Sequence, residues 1–400
     1  MKIRSITYFL NPGFPLNEEK LRAADDFLRA AKSAYQDAGY EIQTTRLATP
    51  SFTKILAGDV GKTPALAFQL ASAMETMDAG YASLGPALPE LPESYAILPE
   101  AIAVNKNIFF TGVMASPSTG ISLRAIKACA DVIVRAASIE PNGFANLQFA
   151  ALANVGAGVP FLPAAYHDSD EPAFALALEA ADLAVDAFNG ERTVDEGRKA
   201  LIASLETHGE KLTKIADSLK LRFLGLDFSL APFPDDSVSL GGAMEGFGVP
   251  KVGLHGSLAA AAILAESIQL ADFLHTGFNG MMMPVLEDSV LAKRAAEGTL
   301  TVKDLLLYSA VCGTGLDTVP LAGDVTCEQV AAILLDIAAL STRLAKPLTA
   351  RLMPIPGKQA GDKSEFDFAF FKNSRVMGLD AAALGYPFSG DEIIQIKTRR

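Results

Sequence analysis

Hydrophobic positions along this chain change period repeatedly, from the short unbroken runs of buried strands to the three-to-four spacing of amphipathic helices. Ile3–Leu10 predicts a strand, and the stretch from Asn17 to about Ala38 a helix. Tyr40–Leu47 follows as a strand, about Thr63–Met77 as a helix, Asn107–Met114 as a strand and Gly120–Ala137 as a helix. Phe144–Asn154 is another apolar strand, before helices over about Glu171–Phe188 and Val194–Leu219. The second of these opens on a Thr193-x-x-Glu196 capping box, in which hydroxyl and carboxylate satisfy each other's backbone N–H groups.

The rhythm then repeats. Arg222–Ser229 reads as a strand, Gly256–Phe273 as a helix and Gly280–Val285 as a strand. Thr301-x-x-Asp304 and Thr326-x-x-Gln329 mark two further helix starts, and Thr349–Ile355 and Phe366–Phe371 read as closing strands. Alternation over the whole length predicts a mainly parallel α/β architecture, and no linker divides it. One α/β barrel over residues 1–400, with pseudo-halves of about 1–220 and 221–400, is therefore expected in preference to two separate domains. In such barrels ligands gather at strand ends and on the loops that follow.

Composition narrows the function classes. Half of the 400 residues are hydrophobic, which suits a large helix-rich core, and it makes a homo-oligomer the prior expectation. The net charge of −12, without any basic patch, argues against nucleic acid or an anionic membrane as partner, since both require clustered Lys and Arg. Phe144–Tyr166 carries no charge, but Asn146, Gln148, Asn154 and several glycines and prolines interrupt it, so it reads as strand and loop rather than a membrane span. Three scattered cysteines make no disulfide framework, and Cys129 and Cys327 fall in apolar helical patterns. A cytoplasmic protein is expected.

Five places carry polar groups against this apolar background. Cys312-Gly313-Thr314-Gly315-Leu316-Asp317, with Gly323-Asp324 following, sets a thiol and two carboxylates among glycines, as in a loop that presents groups to a ligand. Cys312 is a candidate nucleophile if a cation or helix N-terminus lowers its pKa, and otherwise a buried inert thiol. Asp227 sits inside an apolar strand, where a carboxylate needs a cation, several donors, a metal or a cavity. His255, between Gly253 and Gly256 at a helix start, is a candidate general acid/base, and the Gly256 backbone a candidate anion site; a turn-capping histidine is the plainer alternative. Glu287 and Asp288 follow an apolar strand, either as a cation site or as first-turn acids complementing a helix dipole. Lys358, in the polar loop Pro356–Phe366, and Ser116, in Ser116-Pro117-Ser118-Thr119-Gly120, are candidate contacts for an anionic substrate.

Taken in order, these segments resemble a family. Asp227-x-Ser229-Leu230-Ala231-Pro232-x-Pro234, His255-Gly256, Pro284-Val285-x-Glu287-Asp288, Cys312-x-x-Gly315-Leu316-Asp317, Pro320-x-x-Gly323-Asp324 and Pro354-Ile355-Pro356-Gly357-Lys358-x-x-Gly361-Asp362 are similar to domain of unknown function 711. Ile3-Arg4-Ser5-Ile6-Thr7-Tyr8 and Pro160-Phe161-Leu162-Pro163-Ala164-Ala165-Tyr166-His167 extend the resemblance through the N-terminal half. The resemblance implies a ten-stranded α/β barrel like those of pyruvate formate-lyase and the ribonucleotide reductase large subunit, and it implies no function. Arg375-Val376-Met377-Gly378 together with Cys312 mimics a glycyl-radical motif, but the chain is about half the length of such enzymes and fold kinship does not transfer chemistry.

The expectation drawn from these residues is a barrel enzyme of lyase, hydrolase or isomerase type, using acid/base chemistry on a small anionic metabolite. His255, Cys312 and Asp317 would be catalytic, and Lys358, Gly256 and Ser116 would hold the substrate. Asp227, Glu287 and Asp324 are the candidate ligands of a divalent metal. The alternative on the same fold is a non-catalytic metabolite-binding or scaffold protein.

Overall fold

Two sets of parallel strands running in opposite directions form the sheet of this protein, in a computed structural model that describes residues 1–188 and 192–398. The first set is β1 (Lys2–Phe9), β2 (Ile42–Ser51), β3 (Tyr81–Ala87), β4 (Ile108–Ser116) and β6 (Phe149–Ala153), each parallel to the next. A short β5 (Gly120–Ser122) turns back on β4 and pairs with β11 (Ile393–Ile394). The second set is β7 (Ala173–Glu179) with β8 (Arg222–Asp227), and β9 (Gly315–Ala322) with β10 (Leu348–Ile355). β7 lies antiparallel to β1 at one flank and β10 antiparallel to β6 at the other, giving the order β8-β7-β1-β2-β3-β4-β6-β10-β9.

The stretch from Leu274 to Val285 lies against both end strands. The Leu226 N–H donates to the Leu274 carbonyl (2.8 Å), and the Met282 N–H donates to the carbonyl of Ser229 just after β8 (2.9 Å). On its other side the Met281 N–H donates to the Cys312 carbonyl (2.8 Å) and the Val285 N–H to the Asp317 carbonyl (3.1 Å). The strand expected at 280–285 thus exists only as one isolated parallel bridge, Pro284–Asp317, with another upstream at Leu226–His275.

Helices cover the sheet where the apolar spacing placed them. In α1 (Glu18–Asp37) the Asn17 side chain accepts from the Lys20 N–H, and Leu21, Ala24, Leu28, Ala31 and Tyr35 form the buried stripe. Leu28 and Tyr35 are wholly buried, each contributing on the order of 2 kcal/mol, so a charge at Leu28 would detach this helix. The capping box read at Thr193 and the helix starts read at Thr301 and Thr326 all form as capping boxes, at α2 (Val194–Ser218), α3 (Val302–Cys312) and α4 (Cys327–Leu344).

Four further assignments need correcting. Residues 173–179 form strand β7, not the start of a helix: every side chain there is buried, and the alternating alanines let β1 and β8 flank it closely. β3 was not anticipated, because Gly85 and Pro86 interrupt its apolar run. The glycine-rich segment after Cys312 is not a presenting loop but strand β9. A Cβ on Gly315 would stand 2.1 Å from the Thr349 carbonyl oxygen, at φ +100°, so glycine there serves backbone packing against β10. Residues 366–371 are not a strand; Phe366, Phe368 and Phe371 pack around Phe144, with ring centroids 5.0–6.1 Å away. Among the described residues no helix is long and apolar enough to cross a membrane.

Candidate functional site

Arginines in apolar strands mark the site. Arg4 near the start of β1, Arg46 in β2 and Arg351 in β10 all line a cavity of about 290 Å³. Arg46 and Arg351 are each only 8% exposed, and Glu287 only 5%. Burial at that level requires partners, because an isolated ion in a low-dielectric interior is prohibitive.

The partners come from distant segments. Arg351 donates from Nη2 to Glu287 Oε1 (2.8 Å) and from Nε to Asp317 Oδ1 (2.5 Å). Arg4 Nη2 pairs with the other Glu287 oxygen, while its Nη1 donates to the Pro232 carbonyl (3.1 Å) and reaches Glu179 at 3.4 Å. Glu287 is thus clamped between two guanidiniums. Arg46 stands apart from this network: its Nε donates to Thr44 Oγ1 (2.8 Å), and that hydroxyl donates to the Arg4 carbonyl (2.9 Å). Among the described residues no carboxylate lies within 4.0 Å of the Arg46 guanidinium, which sits 6.0 Å from the Tyr81 ring centre.

These surroundings push the two cavity carboxylates apart. Burial raises Glu287, but Arg351, Arg4 and Arg46 outweigh it and hold the carboxyl below its usual range. Burial also raises Asp317, and there it prevails over Arg351, with the Glu287 charge adding to the rise. Arg46 is pushed down to about 9 by burial and by Arg4. Much of the remaining lining is apolar, with Phe109, Phe144, Phe278, Met282, Phe368 and Phe370 among its residues, beside polar Gln43, Asn107, Thr314 and Thr349.

Of the residues singled out by sequence, the cavity brings together Glu287 and Asp317. The others lie elsewhere. Asp227 is wholly buried, accepting from the Ser229 hydroxyl and from the N–H groups of Phe278 (2.7 Å) and Asn279 (3.0 Å). Burial nevertheless pushes it up to about 6. It ties β8 to the 274–285 stretch. Asp324 is exposed beside a second cavity of about 340 Å³ with Gln329, Gln359 and Met377. Asp227, Glu287 and Asp324 therefore make no common ligand set. Among the described residues no three His, Cys, Asp or Glu side chains converge as a metal site.

His255 and Gly256 are exposed at the start of the helix Ser257–Leu270, Gly256 at φ +106°, and neither lines the cavity. Cys312 is buried at the end of α3, with its carbonyl engaged by Met281. Gly378 is exposed in coil with nothing within 4 Å of a Cβ there, so it does not meet Cys312 as a radical pair would require. Lys358 pairs with Glu365 (3.0 Å) on the surface. Ser116 spends its hydroxyl within its own turn, on Thr119 Oγ1 (2.6 Å) and the Thr119 N–H (3.1 Å). Asp288, beside Glu287, is a helix cap: it accepts from Val290 and Leu291 (both 2.9 Å) and from Leu240 (2.6 Å).

Arg4, Arg46 and Arg351 escaped the sequence reading. The signal was the one applied to Asp227, an ionised side chain amid an apolar strand. A second reason is directional. β1, β2 and β3 present the cavity with residues from their beginnings, whereas Ala231, Pro232 and Glu287 follow segments running the opposite way. A search confined to loops after strands sees half of such a site.

Comparison with known proteins places the chain at the level of a family. Residues 1–373 match the family described as Uncharacterised ACR (DUF711). A UPF0210 protein of Pyrobaculum aerophilum is 33% identical over 261 residues, covering 62% of this chain and 57% of its own length. A UPF0210 protein of Methanopyrus kandleri is 28% identical over 373 residues, covering 88% and 82%. A third, of Syntrophobacter fumaroxidans, is 30% identical over 293 residues, covering 68% and 63%. The match spans less than two thirds of the length of the Pyrobaculum and Syntrophobacter relatives. This chain belongs to the DUF711 (UPF0210) family.

Proposed function

We propose that this protein is a barrel enzyme performing proton transfer on a small anionic metabolite in the arginine-lined cavity, with Asp317 as the proton carrier. The observation that supports it is the divergence of two neighbouring carboxylates in one enclosed space: Asp317 raised, Glu287 lowered. Separated proton affinities of this kind are how acid and base roles are assigned at a single site. Asp317 would exchange a proton with the bound metabolite. Glu287, held below its usual range, would keep Arg4 and Arg351 in place, and Arg46 would hold the substrate's anion.

The fold reading belongs with this. Five strands run one way, and β7, β8, β9 and β10 the other. The 274–285 stretch, bonded to both β8 and β9, would serve as the tenth stave of a barrel like that of pyruvate formate-lyase. Its interior would then be the cavity, and the chain one domain.

Incubating the protein with pooled cellular anions in D2O, followed by mass spectrometry, tests the reading. At least one compound should be converted or should take up deuterium, and Asp317→Asn should slow this by about 10²–10⁴-fold. Compounds that bind yet never change would support the second reading, a metabolite-binding protein. That reading has its own observation: both cavity carboxylates already hold an arginine, as structural ion pairs do.

A further inference from the structure

We infer that the ligand of this cavity is a monocarboxylate with an aromatic or bulky apolar tail, its carboxylate seated on Arg46. The inference deepens the function proposed above and rests on the same cavity. Arg4 and Arg351 are occupied by Glu287, Asp317 and Glu179, and Lys106, at the cavity's edge, pairs with Glu140. Arg46 is the cavity guanidinium left over, 92% buried, with no hydrogen-bond partner at either terminal nitrogen among the described residues. Among the described residues no carboxylate pairs with this enclosed cation within 4.0 Å. Thr44 fixes it from behind through Nε, which leaves the two terminal N–H groups for a single planar acceptor. Parallel N–H donors match the two oxygens of one carboxylate.

Two features favour a carboxylate over a phosphate. No glycine is among the lining residues, so there is no cradle of free backbone amides of the kind that phosphate loops supply. Glu287 also lines the cavity, and a phosphate ester, which carries close to two negative charges, meets more repulsion from it than a carboxylate carrying one. The tail follows from the aromatic part of the lining. Phe144, Phe368 and Phe370 join Phe278 and Met282 among the lining residues, and Phe144 and Phe368 already pack edge to face at 5.0 Å. Such a wall has nothing to offer a second charged group, whereas an aromatic ring would extend the stack.

Titration calorimetry of the full chain with phenylacetate, acetate and phenyl phosphate tests the inference. Phenylacetate should bind, acetate at least about tenfold more weakly for want of the buried ring, and phenyl phosphate no tighter than phenylacetate. Arg46→Met should weaken phenylacetate by at least about tenfold. Removing a buried charge that forms no ion pair within 4.0 Å among the described residues should not unfold the protein, and an unchanged melting temperature checks this. Phe368→Ala, which keeps Arg46, should weaken phenylacetate but not acetate. The inference is overturned if phenylacetate fails to bind, if Arg46→Met leaves its affinity unchanged, or if phenyl phosphate binds at least tenfold tighter. The proton-transfer reading fails separately: Arg46-dependent binding of phenylacetate can stand with no Asp317-dependent deuterium uptake by any anion. Conversely, such uptake with no affinity for phenylacetate would remove the ligand class alone.

Discussion

Replacing Arg351 by Met removes the guanidinium that joins Asp317 to Glu287 and leaves two carboxylates in one buried space. Glu287 keeps Arg4, but Asp317 is left without a cationic partner among the described residues. Removing one member of a buried pair destabilises by about 3–5 kcal/mol, because the other charge stays uncompensated. An unfolding entropy of about 2.1 cal/mol/K per residue over this length makes that a fall of about 4–6 °C in melting temperature. The pH dependence carries the sharper test. Asp317 already has a folded-state pKa raised by burial, and losing Arg351 raises it further. A carboxyl raised in the folded state binds more protons there than when unfolded, so stability is full below the unfolded pKa and lost as pH rises through the folded one. The deficit of Arg351→Met should therefore be largest near pH 8 and shrink toward pH 5. Adding Asp317→Asn should recover at least half of it near pH 8, since no second charge is then stranded. Scanning calorimetry of wild type, single and double variants at both pH values reads all of this. A deficit that is equal at the two pH values, or larger at pH 5, would refute the account of the ion network.

Other expectations follow from single observations. Asp227 is pushed up to about 6, so the wild type should lose stability relative to Asp227→Asn as pH climbs from about 4 to about 6, and the difference should level off above; melting curves across that window check it. Gly280→Ala would put a Cβ 1.9 Å from the Cys312 carbonyl oxygen; displacing the 274–285 stretch should destabilise by about 1–3 kcal/mol, read by chemical denaturation, and raise hydrogen exchange at Met281 and Met282. In a thiol titration of the native protein Cys327, partly exposed, should react while buried Cys129 and Cys312 wait for denaturant; labelling of Cys312 in the folded state would contradict its burial.

Local signals were read correctly where the deciding interactions are local. The capping boxes at Thr193, Thr301 and Thr326 close over three residues, and the stripe from Leu21 to Tyr35 repeats within one helix. Family membership also was legible, because its motifs are strings of neighbouring residues. β7 was missed because alanine and leucine serve a helix and a doubly buried strand equally well, and only the flanking of β1 and β8 decides between them.

At the site the division is the same. Sequence marked Glu287 and Asp317 as carboxylates needing an explanation, and it marked Asp227, His255, Cys312 and Asp324 just as strongly. What separates them is partner choice. Asp227 finds backbone N–H groups 51 and 52 positions away, whereas Glu287 finds Arg4 across 283 positions and Arg351 across 64. By itself, the sequence determined that this chain alternates strand and helix, where several helices begin, and that charges buried in apolar strands would need partners. Tertiary structure alone decided which charges meet, and which one, Arg46, lines the cavity without an ion-pair partner among the described residues. The reason is physical: a capping bond spans one turn, while the electrostatics of a buried site depend on every segment the fold brings within a few ångströms.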